Sequence, residues 1–272
     1  IHEQALNKNN GINSANITDC SLIIYHTGYS SVLLPEKVDR NLKILEKEIE
    51  KNNITNLTYY YMSSMNNNLN NYEEAIKYSL LALEDPTFKN TIVAYQPYVF
   101  LIHGMLNLKD KYSNYEIQKY LDEALSAFPE HPEIWHINGN VQKEQNDYHA
   151  AIKSYLKAIE LNNNFNLLMN NNFPARLDSV YIFLGELYIK TGEPIRALDS
   201  YVESLKINKF NMIAIAGLYE LVKEQDTAEI IYFFNSIYNK SNKEDLVFLN
   251  SAMANAGNMV IANYYYKLHE EL

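Results

Sequence analysis

The sequence predicts an all-α protein built from repeated pairs of helices. Its 272 residues include only 8 glycines and 7 prolines, so few positions can form the tight turns that short β-strands need. Hydrophobic residues make up 47% of the chain, enough for a substantial core. A pattern of small and aromatic residues also recurs at intervals of about 34 residues, and that period is typical of a solenoid of helical hairpins.

The repeat is clearest in two segments, 178–211 and 132–165. The first carries Tyr181, Gly185, Tyr188, Ala197 and Tyr201. The second has, at equivalent positions, Trp135, Gly139, Ala151, Tyr155 and Ala158. Weaker copies before and after these segments are marked by Ala75, Leu121, Leu218 and Ala262. The glycines and alanines are predicted to lie where two helices cross, and the aromatic rings to fill the space between hairpins. Prolines at 132 and 194 are predicted to begin helices.

This pattern resembles the tetratricopeptide repeat (TPR), over about residues 56–272 and in six units. The resemblance implies a right-handed α-α superhelix of about six helical hairpins. It also implies that the first helix of each pair lines a concave surface, where such solenoids bind a protein or peptide. The groove residues expected on this basis are Tyr60, His136, Asn140, Glu186 and Glu220. Their mixture suits a neutral or basic peptide or the hydroxyl groups of a glycan; the alternative is an ordinary solvated groove.

The repeats are not evenly spaced. The interval from Ala82 to Ala124 exceeds one repeat by about 8 residues, and the interval from Ala158 to Ser204 exceeds it by about 12. The second of these inserts is rich in asparagine, over 162–172. Inserts in a repeat array often lie on a functional face, but asparagine runs are as often filler, and the sequence leaves the two readings open.

Residues before the repeats differ in character. The run 21–26, Ser-Leu-Ile-Ile-Tyr-His, predicts a β-strand. A lone strand is not stable in water, so we expect the segment 1–35 to be the remnant of an α/β domain and the chain to be a fragment. A connecting helix is expected over 36–55, because Val38, Leu42, Leu45 and Ile49 recur on one face.

Three short motifs in this region resemble the end of a bacterial family 2 glycosyltransferase domain that runs into tetratricopeptide repeats. They are the residues 1–4 (Ile-His-Glu-Gln), 26–29 (His-Thr-Gly-Tyr) and 40–46, which begins Arg-Asn-Leu. The resemblance implies a parent enzyme that uses a nucleotide-sugar and a divalent metal, with an acceptor held by the repeats. His2 and Glu3 could be remnants of its active site or ordinary residues at a cut end. The chain has no Asp-x-Asp motif, so alone it is not expected to transfer sugar. The alternative is a free-standing adaptor with no enzymatic parent.

The remaining predictions concern partners and location. A net charge of −10 argues against binding nucleic acid. No apolar run reaches the length of a membrane span, the chain has a single cysteine and no leader pattern, and we expect a cytoplasmic protein. No metal-binding or cofactor-binding motif is recognisable. If the rings at 264–266 are exposed, the C-terminal end could form a homodimer.

Overall fold

The computed structural model describes residues 34–272 except 53, 56, 89, 90, 92 and 166–170, with backbone alone for 34–37. The strand expected at 21–26 and the residues His2 and Glu3 lie outside the described residues. Within them, the chain forms thirteen α-helices, one 3₁₀ helix and no β-strand. The all-α fold class is therefore confirmed.

After α1 the helices follow one another as six consecutive pairs. Their bounds are α1 Leu34–Glu50, α2 Thr58–Asn68, α3 Tyr72–Glu84, α4 Gln96–Asn107, α5 Asn114–Ala127, α6 Pro132–Glu144, α7 Tyr148–Asn163, α8 Leu177–Lys190, α9 Pro194–Ile207, α10 Met212–Val222, α11 Thr227–Ile237, α12 Lys243–Asn255 and α13 Met259–Glu270. The 3₁₀ helix, Phe173–Arg176, precedes α8. Pro132 and Pro194 begin α6 and α9 as predicted, because the missing N–H is not needed in the first turn.

Asparagine takes over part of the role that glycine usually has at helix ends. The turn after α2 contains Asn70 with a φ of 60°, and the turn after α6 contains Asn146 with a φ of 63°. At the same place after α8 and α12 stand Gly192 and Gly257, each with a φ of 78°. The left-handed residue lets the next N–H bond back to the last helical turn. These bonds are Asn71 N to Asn66 O (2.9 Å), Asp147 N to Gln142 O (2.9 Å), Glu193 N to Tyr188 O (2.7 Å) and Asn258 N to Met253 O (2.9 Å).

Gly139 and Gly185 lie at helix crossings, as expected, but the rings that face them belong to the same hairpin and not to its neighbour. A Cβ placed on Gly139 would lie 2.6 Å from ring atoms of Tyr155, and one on Gly185 would lie 2.6 Å from the ring of Tyr201. Tyr155 and Tyr201 are buried. Each ring therefore packs directly on the backbone of the preceding helix, which lets the two helices of a unit approach closely.

The helix α1 packs on the first repeat with the face that its sequence predicts. Val38 and Leu42 are buried against Met62 of α2, and Leu45 and Ile49 are packed around them. The helix begins at Leu34 and ends at Glu50, so it starts two residues earlier and stops five residues earlier than the expected span of 36–55. Asn52, with a φ of 56°, turns the chain after it.

Candidate functional site

The first helices of the six pairs present a row of recurring positions, which we call the groove row. Its members are Tyr60 on α2, Val99 and Ile102 on α4, His136 and Asn140 on α6, Ile182 and Glu186 on α8, Ile213 and Glu220 on α10, and Val247 on α12. In the C-terminal half most of this row is exposed to solvent, although Ile182 of α8, at the position equivalent to His136, is buried. Ile213 of α10 is 61% exposed and Val247 of α12 is 50% exposed. In the N-terminal half the same row is covered. Val99 and Ile102 of α4 and His136 of α6 are buried.

The described residues of the first insert, which lies within 85–95, cover the groove row of the first unit. The side chain of Phe88 is buried, and its ring centroid lies 5.8 Å from that of Tyr60. Val93 and Ala94 are buried in the same cluster, which includes Leu57 and Tyr60 of the first unit. Tyr60, expected to line an open groove, is therefore partly covered by the chain itself.

The second insert covers the groove row of the third unit with its described residues. Phe173 is fully buried, with its ring centroid 5.8 Å from that of His136. The backbone N–H of Asn172 donates a hydrogen bond to Oε1 of Glu133 at 2.6 Å. Phe165, at the other end of the insert, lies against His131, with 5.0 Å between ring centroids. The described part of the insert thus lies against the groove row.

A chain of hydrogen bonds, which we call the groove network, connects the two inserts. The Tyr60 hydroxyl donates to Oε1 of Gln96 at 2.6 Å. Nε2 of Gln96 donates to the Tyr95 hydroxyl at 2.9 Å, and that hydroxyl donates to Oε1 of Glu133 at 2.9 Å. The same Oε1 accepts the Asn172 N–H. Tyr95 and Gln96 lie at the start of α4 and Glu133 lies in the first turn of α6, so the network runs along the N-terminal ends of the first helices.

Burial shifts the pKa values of the two titratable side chains under the second insert. Desolvation raises the pKa of Glu133, although the hydrogen bonds from Asn172 and Tyr95 and the charge of Arg176 oppose the shift. Desolvation also lowers the pKa of His136 to about 3, helped by the positive charges of Arg176 and Lys143. His136 is therefore a neutral, buried imidazole at physiological pH.

The other three expected groove residues have different environments. Asn140 accepts a 2.7 Å hydrogen bond from the Tyr155 hydroxyl. Glu220 is exposed and forms a 2.8 Å ion pair with Lys223. Glu186 is exposed and has no ion pair among the described residues. The structure thus leaves Glu186 and Glu220 accessible, engages Asn140 internally, and places Tyr60 and His136 beneath the inserts.

The sequence analysis missed an apolar cleft at the C-terminal end of the groove row. The cleft is shallow and open to solvent, with a volume of about 590 Å³, and is lined by Phe210, Lys243, Glu244, Val247, Phe248 and Ser251. The ring centroids of Phe210 and Phe248 are 5.3 Å apart in an edge-to-face arrangement. The sixth repeat is too degenerate to set a register by itself. The signal that could have identified the cleft is the helical spacing of residues 244, 247 and 251, which share one face of α12.

No group of three or more His, Cys, Asp or Glu side chains in the described part of the chain could hold a metal ion. None of the helices formed by residues 34–272, as far as they are described, combines the length and apolarity needed to cross a membrane.

Comparison with known proteins identifies the repeat. The model of the tetratricopeptide repeat matches residues 132–165 and 178–211. No curated protein matches the chain significantly. The solved structures that resemble it include the MamA protein, with 16% identity over 79% of this chain and 90% of that one and a TM-score of 0.44. PilF of Pseudomonas aeruginosa has 16% identity over 85% of this chain and 90% of that one, with a TM-score of 0.48.

Yeast Tom70 is 21% identical over 92% of this chain and 47% of that one, with a TM-score of 0.52. At this level of identity the similarity concerns the fold alone. Together with the match to the repeat model and the six helix pairs, it supports one conclusion. The chain contains tetratricopeptide repeats at 132–165 and 178–211, within an all-helical, TPR-like solenoid.

Proposed function

We propose that the chain is a protein-interaction scaffold that binds a peptide segment on the open part of the groove row, formed by α8, α10 and α12. The observation that carries this proposal is the apolar surface that Phe210, Val247 and Phe248 form together. Phe210 is 43% and Val247 50% exposed, and Ile213 of α10 is 61% exposed. Contiguous exposed apolar side chains with a polar rim are typical of protein-binding surfaces.

The charges around the cleft indicate what kind of peptide fits. The cleft is lined by one acidic side chain, Glu244, and one basic side chain, Lys243. Glu186 of α8 is also exposed, and the whole chain has a net charge of −10. A suitable ligand has apolar side chains flanked by Lys or Arg. Its apolar side chains would be buried in the cleft, and its Lys or Arg side chains would lie near the carboxylates. Such a ligand would associate more slowly as the salt concentration rises.

A phage-displayed library of short random peptides, selected on the chain, tests the proposal. We expect selected peptides with apolar and basic residues. Val247→Asp should weaken their binding by about tenfold, because the exposed half of the valine side chain is then no longer available for the peptide to bury. Ile195→Asp is the matched control, since Ile195 is 78% exposed on α9, a second helix. Equal effects of the two substitutions, or peptides without apolar residues, would contradict the proposal.

We propose further that the scaffold belongs to a bacterial, cytoplasmic family 2 glycosyltransferase and holds its acceptor. The support is the order of the motifs at 1–4, 26–29 and 40–46 ahead of the repeats. In that protein, a domain preceding these repeats would use a nucleotide-sugar and a divalent metal, and His2 and Glu3 would lie at its active site. The alternative is an adaptor without an enzymatic parent. The coding sequence upstream of Ile1 decides between them: an Asp-x-Asp motif in an α/β domain supports the enzyme, and a start codon next to Ile1 rejects it.

Self-association through α13 is a second proposal. Of the three adjacent tyrosines, Tyr265 is fully buried and Tyr264 is partly buried, whereas Tyr266 is 53% exposed; nearby on the same helix, Val260 is 69% exposed. Two copies of α13 would cover each other's exposed apolar side chains. The mass in solution tests the idea. We expect a dimer that Val260→Asp dissociates, and a monomer at all concentrations would reject it.

A further inference from the structure

We propose that the surface of α6 around Glu133 and His136 is a second peptide-binding site, and that its ligand is the chain's own second insert. The proposal does not depend on the C-terminal cleft, because it rests on different residues. The described residues of the ligand are Phe165 and the segment 171–176. The residues of the site are Glu133, His131 and His136.

The contacts of the insert have the form of peptide recognition. A backbone N–H, that of Asn172, is bound by a buried side-chain acceptor at 2.6 Å. The next side chain, Phe173, is completely buried against His136. Phe173 begins the 3₁₀ helix Phe173–Arg176. A hydrogen bond to the ligand backbone, together with a pocket for one side chain, is a usual way for a groove to bind a peptide.

The choice of residues on α6 supports a binding site over simple core packing. Glu133 is 3% exposed, and burial of a carboxylate is unfavourable unless hydrogen bonds compensate for the lost water. A core that only had to fill space would be at least as stable with an apolar residue at this position. Glu133 instead presents a hydrogen-bond acceptor to the backbone of the insert, and the Tyr95 hydroxyl holds that acceptor in place at 2.9 Å.

The repeats themselves do not require the insert. The fourth unit, α8 and α9, has the same close crossing as the third, with Gly185 on Tyr201 where the third has Gly139 on Tyr155. On α10, where the preceding connection is short, the groove row is open and Ile213 is 61% exposed. The insert is therefore an occupant of a groove that the repeat already forms, and without it α6 would present an open site.

The proposal is tested by separating the ligand from the site. In one variant, residues 165–175 are replaced by a short Gly-Ser linker. The probe is a fluorescein-labelled synthetic peptide of residues 162–177, with a second peptide that carries Phe165→Ala and Phe173→Ala as control. We expect the excised chain to bind the first peptide at least about tenfold more tightly than the intact chain, whose own insert competes at high effective concentration. The control peptide should bind the excised chain at least about tenfold more weakly than the first peptide.

Hydrogen exchange in the intact chain provides a test that does not require the excised chain to fold. Glu133→Ala should raise the exchange rate of the Asn172 amide by about tenfold or more, because that amide loses its acceptor. Phe173→Ala should raise exchange across 171–176, whereas Pro174→Ala, at an exposed position of the same segment, should leave it unchanged.

The outcomes divide cleanly. The second site is supported if the insert peptide binds the excised chain more tightly than the intact chain. It is also supported if Glu133→Ala and Phe173→Ala raise the exchange rate of the Asn172 amide and Pro174→Ala does not. Equal binding of the peptide to both chains, no binding to an excised chain with wild-type helical circular dichroism, or unchanged exchange in Glu133→Ala overturns it.

Discussion

Replacement of Gly185 by alanine should destabilise the fold, although alanine is the better helix former. A Cβ at this position would lie 2.6 Å from Cε1, 2.7 Å from Cζ and 2.9 Å from Cδ1 of Tyr201. The ring has little freedom to move away, because Tyr201 is 3% exposed and its other side packs on Gly217 of the next unit.

The magnitude follows from two opposing effects. Overpacking in a filled core typically costs about 1–3 kcal/mol, and the rigid ring between two backbones places this site at the upper end. Alanine regains about 1 kcal/mol of helix propensity. The net loss in the free energy of unfolding should be about 2 kcal/mol, or a fall in the melting temperature of about 4–8 °C.

Thermal and urea unfolding, followed by circular dichroism, measure the loss. Gly104→Ala is the matched control, because the nearest atoms there belong to the Ile76 side chain, with Cγ1 at 2.8 Å and Cδ1 at 3.2 Å, which can rotate. Its effect should be the smaller one. Combining Gly185→Ala with Tyr201→Leu should give a double mutant more stable than the sum of the two changes predicts, by about 1 kcal/mol or more. A neutral or stabilising Gly185→Ala, or a strictly additive pair, would refute the packing argument.

Three further predictions concern buried and strained positions. His136 has a pKa of about 3 in the folded chain, whereas in the unfolded chain it takes up a proton below about pH 6.5. The free energy of unfolding therefore falls as the pH falls. His136→Phe should reduce this fall between about pH 7 and about pH 4.5 by about 2–3 kcal/mol, as measured by urea unfolding. Asp245 is fully buried and its Oδ2 accepts from Lys209 Nζ at 2.6 Å and from Asn239 N at 2.8 Å. Lys209→Met should cost about 2–3 kcal/mol, because it removes the only counter-charge that this buried carboxylate has among the described residues. Adding Asp245→Asn should recover part of that loss, and equal unfolding midpoints for the two variants would contradict this. Asn146 has a φ of 63°, so Asn146→Ala should lower the free energy of unfolding by about 1 kcal/mol and Asn146→Gly should not, a difference that thermal melts of the two variants would detect.

The repeat could be predicted from the sequence because its determinants are local and periodic. Gly139 with Tyr155 and Gly185 with Tyr201 are pairs within one hairpin, and their spacing is fixed by the geometry of two helices and a turn. Pro132 and Pro194 set the beginnings of α6 and α9 by backbone chemistry alone. These features do not depend on what the rest of the chain does.

The covered half of the groove could not be predicted, because the inserts have no register. Asn172 binds Glu133 through its backbone N–H, a group that nearly every residue offers, so no residue type signals the contact. Glu133 is a charged residue on a helix and would be expected in solvent, yet it is buried by a segment 39 positions away in the chain. His136, Tyr60, Glu186 and Glu220 were all expected to be accessible because each lies at a groove position on the first helix of its repeat. Only the two glutamates have no described residue of an insert over them.

The groove row is open over α8, α10 and α12 and is occupied by the chain itself over α2 and α6. Hydrogen exchange of the chain, with and without a selected peptide, measures this difference directly. The peptide should slow exchange in 177–190, 212–222 and 243–255 and leave 171–176 unchanged. Protection of 171–176, or of α11 and α13 in place of α10 and α12, would contradict it.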